Sequence, residues 1–170
     1  MDIFLDFRQT VLMYDPELFL ETTTFNFYFY GKGKEKQVYT ERLFADIAAG
    51  KYKAYTSNYV IDELSKDTAE RFNAMNSLVD KYHIEVLPSD AEIGRLGALY
   101  IKKGIIPEKY KDDALHIAAA TVNRLDFVIS YNYNHIVKLK TIIGTGLINR
   151  REGYQQVGLS APKEIVDYDS

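Results

Sequence analysis

The stretch spanning residues 111–134, KDDALHIAAATVNRLDFVISYNYN, limits the fold more than any other part of the chain. Asp112 and Asp113 open it, residues 114–122 form an alanine-rich run of helical character, and Phe127-Val128-Ile129-Ser130 reads as a short buried strand. Polar Asn132 and Asn134 lie just past that strand. Acids therefore mark a helix start, and amides mark the end of the next strand. In an open α/β sheet those two places meet on one edge, and ligands bind there.

The rest of the chain repeats the alternation. Strand-like runs fall at 17–22, 53–57, 84–87 and 154–159, with a weaker alternating pattern at Ile3, Leu5 and Phe7. Helical patterns fall between them: a short helix at 25–30 with Phe25 and Phe29 inward, then 37–49, 58–66, 67–82 and 90–103. A largely helical 135–151 is expected to break near Gly144 and Gly146, and Gly31–Lys36 reads as a polar loop. This order predicts a parallel sheet wrapped by helices. No linker or repeat splits the chain. We expect a single domain over residues 17–170 and an N-terminal extension over 1–16.

The chain has no cysteine, which excludes disulfides and thiolate metal sites and is compatible with a reducing compartment. No apolar run approaches the ~20 residues that span a membrane. The N-terminus lacks a basic region ahead of its apolar residues, so a cytoplasmic protein is expected. A net charge of -3 argues against a nonspecific nucleic-acid coat. It leaves room for a nuclease, whose metal site is itself acidic.

Glu21 ends the first strand. In the helix after the second strand, Val60, Ile61 and Leu64 define one face, which Glu63 borders while Asp62 points nearly opposite. Asp112 and Asp113 can each cap the helix they open. Each acid alone has an ordinary structural explanation. Together, Glu21, Glu63, Asp113 and Asn132 should reach one edge of one sheet. Carboxylates ~4 Å apart repel by about 4 kcal/mol per pair at an effective dielectric near 20. A divalent cation offsets that repulsion, and oxygen-only ligands suit Mg²⁺ or Mn²⁺ better than zinc. His116, on the neighbouring face of the same helix, reads as structural in preference to a ligand, with a supporting place behind the carboxylates as the other option.

These residues resemble the PIN-domain family, which includes the VapC-like toxins of bacterial toxin–antitoxin pairs. The match spans about residues 17 to 166 and rests on four pieces in order. They are Glu21-Thr22-Thr23, Glu63 in YVIDEL, Asp113 in DALHIAAA, and Asn132 in ISYN. Two of them depart from the family pattern, with Glu21 where Asp is usual and Asn132 where an acid is common. The resemblance implies a three-layer α/β/α sandwich with a mainly parallel sheet of four to five strands. It implies a metal-dependent endoribonuclease in which Glu21, Glu63 and Asp113 hold Mg²⁺ or Mn²⁺, leaving a 5′-phosphate and a 3′-hydroxyl. Thr22, Thr23 and Asn132 would orient a carboxylate, a water or the substrate phosphate. Implied partners are RNA, a cognate antitoxin and a second copy in a homodimer. A catalytically weak PIN-fold module that binds RNA or protein is the alternative, and a phosphohydrolase or DNA nuclease using the same acids a third reading.

Overall fold

The computed structural model describes residues 14–30 and 34–166. The weak strand expected around Ile3 to Phe7, the first half of the expected Gly31–Lys36 loop and the last residues of the tail lie outside the described residues; the second half of that loop, from Lys34, is helical instead.

Among the described residues, five short strands form one parallel sheet: β1 (Glu17–Leu20), β2 (Lys53–Ser57), β3 (Glu85–Leu87), β4 (Phe127–Ile129) and β5 (Gly158–Ser160), in the order β3-β2-β1-β4-β5. Helices fill the connections: α1 (Thr22–Tyr30), α2 (Lys34–Ala48), α3 (Asn58–Ser65), α4 (Ala69–Lys81), α5 (Ala91–Lys102), α6 (Lys111–Val122), α7 (Leu139–Arg151) and α8 (Pro162–Val166). α1 packs on α2 and α4, while α5 packs on α6 and α7, so helices cover the sheet as a three-layer sandwich. Leu18, Phe19 and Leu20 of the central strand are wholly buried, as a strand covered on both faces requires. Among the described residues no helix is long and apolar enough to cross a membrane.

The chain leaves β1 for β2 and β3 on one side and returns to β4 and β5 on the other. The order therefore reverses between β1 and β4, where Leu18 pairs with Phe127 and Leu20 with Ile129. That reversal opens a crevice beyond the carboxyl ends of the two strands.

Several expectations change in detail. α7 runs unbroken through Gly144 and Gly146. A Cβ at Gly144 would come within 2.8 Å of Ile105, so this glycine permits close packing and does not interrupt the helix. The last strand starts at Gly158, four residues later than expected, because polar Tyr154 to Gln156 lie outside the sheet. Phe25 is buried, but Phe29 is 39% exposed; Tyr28 turns inward in its place, against Phe44 and Tyr82. Neither Asp112 nor Asp113 caps α6. A 3₁₀ turn at Glu108–Tyr110 runs straight into the helix, which begins at Lys111 and carries both acids in its first turn.

Candidate functional site

The crevice between β1 and β4 is lined by polar side chains that the strand ends and helix starts deliver. Glu21 follows Leu20 directly and is only 2% exposed. Its Oε2 accepts hydrogen bonds from the Thr23 hydroxyl at 2.6 Å, the Ser130 hydroxyl at 2.7 Å and the Thr23 backbone N–H at 3.2 Å. Thr23 Oγ1 in turn accepts from the backbone N–H of Tyr131, and Ser130 Oγ accepts from that of Asn132. The ends of β1 and β4 are thus laced together around one carboxylate oxygen, and among the described residues Glu21 Oε1 accepts nothing.

Glu63 arrives from α3. Ser57, the last residue of β2, caps this helix by accepting from the Val60 N–H, so the helix starts at the sheet edge. Val60 and Leu64 are buried, Asp62 is exposed, and Glu63 lies on the border between the two faces. Glu63 Oε2 accepts from the Thr22 hydroxyl at 2.9 Å and lies 2.7 Å from His116 Nε2. Burial alone would raise the Glu63 carboxyl, but the bonds from His116 and Thr22 outweigh it and hold the pKa below the ordinary value.

Asp113 sits in the first turn of α6 and is buried. Its carboxyl is pushed up to about 7, first by burial and then by the charge of Glu21, with Glu63 adding to the rise. His116 and the Asn132 amide pull the other way without cancelling it. Asn132 Oδ1 also accepts from the backbone N–H of His135, whose ring stacks on Tyr110 at 3.7 Å. The fully buried His116 has its pKa raised. Burial opposes its charge, but the Glu63 bond and the charges of Glu21, Glu63 and Asp113 outweigh that penalty.

Glu21, Glu63 and His116 each offer a ligand atom, all within 4.8 Å of one another, and Asp113 adjoins them through its coupling to both glutamates. The donor set fits a hard divalent cation. Each glutamate has one oxygen engaged by protein donors and one without a partner among the described residues. Asp113 is raised first by its burial and then by the negative charge of Glu21 and Glu63, and a cation would offset that charge. Ser130 was not anticipated as a partner of the acids, and for His116 the supporting place behind the carboxylates was only the second option. Ser130 reads from sequence only as the end of a strand. The contact of His116 with Glu63 depends on how α6 approaches α3, which no local pattern encodes.

Comparison with family models and with curated proteins finds no match. Among solved structures, this chain is similar to a chain from the crystal structure of VapBC2 from Rickettsia felis bound to a DNA fragment from their promoter. The identity is 14%, the TM-score is 0.52, and the likeness covers 85% of this chain and 98% of that one. The fold is PIN-like. Glu21, Glu63, Asp113 and Asn132 all border the crevice above β1 and β4.

Proposed function

We propose that this protein is a metal-dependent endoribonuclease and the toxin of a toxin–antitoxin pair. The observation that carries the reading is the meeting of three carboxylates, Glu21, Glu63 and Asp113, at the switch point of a PIN-like sheet, with Asp113 raised to about 7 first by its burial and then by the charges of Glu21 and Glu63. Glu21 and Asp113 would hold Mg²⁺ or Mn²⁺, with Glu63 binding or orienting its water. When bound, the ion supplies an acidified water and charge stabilisation at phosphate. The protein's own part is orientation. Thr23 and Ser130 fix Glu21, Thr22 fixes Glu63, and Asn132 presents its amide at the rim, where a substrate phosphate would lie. An antitoxin would hold the toxin by covering this crevice with a segment that brings a basic side chain to the acids.

The deciding experiment measures Mn²⁺ binding by calorimetry and RNA cleavage, on wild type and Asp113→Asn. Wild type should bind and cleave, while the variant loses cleavage at least about a hundredfold together with its metal affinity. Unchanged cleavage in the variant sinks the mechanism. The amide at Asn132 favours a second reading, a PIN-like module that binds RNA or protein with little catalysis. Metal binding by wild type without cleavage of any RNA would select it.

A further inference from the structure

We infer that His116 is a positioning residue of this site: it pins Glu63 by donating from Nε2 and is not itself a metal ligand. Its consequence for metal binding rests on the nuclease reading; its geometry does not. The His116 side chain is fully buried, with Nε2 2.7 Å from Glu63 Oε2 and Nδ1 without any hydrogen-bond partner among the described residues. The ring is flanked by Phe19, 6.2 Å away between centroids.

The orphaned nitrogen decides between the two roles. An imidazole that ligates through Nε2 must carry its hydrogen on Nδ1. Here that would bury an N–H with no acceptor, which leaves its full desolvation cost unmet. With hydrogen on Nε2, the ring donates to Glu63 and leaves only a bare lone pair inside, and orphaned acceptors are tolerated better than orphaned donors. An imidazolium buries the same Nδ1–H but has no lone pair on Nε2 to give a metal and still presents Nε2–H to Glu63, so the positioning role survives either protonation state. The closeness of His116 to Glu21 and Glu63 therefore reflects support of a carboxylate, although the same closeness would suit a mixed nitrogen and oxygen metal site.

Glu63 needs that support. It is a long side chain, a third exposed, on a short helix. Its two donors come from different helices, Thr22 on α1 and His116 on α6, and both hold the same oxygen. The other oxygen is left for the crevice. Partners that orient a ligand in this way typically change metal affinity 10–100-fold when removed.

The test uses the full chain and two independent readouts. Nitrogen-15 NMR of the metal-free protein should place the ring hydrogen on Nε2; hydrogen on Nδ1 alone overturns the inference. Mn²⁺ calorimetry should then show His116→Leu weakened about tenfold or more. His116→Gln, whose amide can replace the Nε2 donor, should recover most of the affinity. The pulsed electron-spin spectrum of bound Mn²⁺ should lack the coupling of a coordinated imidazole nitrogen, and finding that coupling overturns the inference. So does a folded His116→Leu with wild-type affinity. Should His116→Leu not fold, the Gln variant and the NMR still decide. If wild type binds no Mn²⁺ while the hydrogen sits on Nε2, the nuclease reading has failed and the positioning of Glu63 stands.

Discussion

The two ends of helix α6 each carry a buried polar cluster, and they differ in kind. At the C-terminal end, Thr121, Tyr100 and Asn149 are all buried and neutral. The Tyr100 hydroxyl reaches Asn149 Oδ1, Asn149 Nδ2 donates to Thr121 Oγ1 at 3.3 Å, and Thr121 donates to the Ile117 carbonyl at 2.8 Å. Burial holds the Tyr100 phenol far from ionising. At the N-terminal end, Asp113 and His116 meet Glu21 and Glu63, the charges repel, and one buried nitrogen has no partner. A satisfied neutral network fixes how helices pack. A charged, incomplete one works against stability, and such a set is retained where a binding partner completes it. One helix thus serves structure at one end and chemistry at the other.

The largest expected effect follows from removing charge at the N-terminal end. An ordinary Asp titrates near ~3.9 in an unfolded chain, whereas folded Asp113 titrates at about 7. Between those values the folded state keeps a proton that the unfolded state has released. The stability this gives is complete below the unfolded pKa and is lost as pH rises through the folded one. Asp113→Asn never carries the charge. In metal-free buffer it should therefore be more stable than wild type at pH 8, by up to about 4 kcal/mol for a shift of roughly three units. The difference should vanish near pH 4. Urea denaturation with chelator at the two pH values checks this. Equal stability at pH 8 would mean the acids are not in conflict, and the contrast between the two ends would collapse.

The C-terminal cluster should respond with the opposite sign. Asn149→Ala leaves the buried Tyr100 hydroxyl with only Thr121 Oγ1, at 3.4 Å. A stability loss of about 1–3 kcal/mol is expected at every pH, with Mn²⁺ affinity unchanged. Lower affinity in a folded Asn149→Ala would show that the two ends are coupled through the helix and would blur the division drawn here.

The division also explains what could be read from the sequence. The bounds of β2 and the start of α3 were legible to the residue, while the cap, open in sequence between Ser57 and Asn58, falls to Ser57. Glu21, Glu63, Asp113 and Asn132 were legible as edge residues, because apolar runs fix where strands end and helical periodicity fixes which way Glu63 leans. The continuity of α7 was not legible, since Gly144 answers to Ile105, a residue far away in sequence. Nor was the outward turn of Phe29, which depends on Tyr28 finding Phe44 and Tyr82. His116 and Ser130 share that limit. Their types and places are in the sequence, but their partners are set by how α6 meets α3 and β4 meets β1.

The smallest stability effect should come from Thr22→Val, which keeps the shape of the side chain and removes one donor to Glu63. In the metal-free protein the loss should be about 1 kcal/mol or less. Mn²⁺ affinity should fall severalfold all the same, because Glu63 keeps only His116 to hold it. Thr22 and His116 engage the same oxygen, so their effects on affinity should not be independent. With either donor present the carboxylate retains one anchor; with both gone it has none. Calorimetry on Thr22→Val, His116→Leu and the pair should show a larger loss in the double variant than the two single losses combined. Strict additivity would mean that the two donors do not share the task of fixing Glu63. The charged end of α6 would then be a set of separate contacts and not one cooperative site.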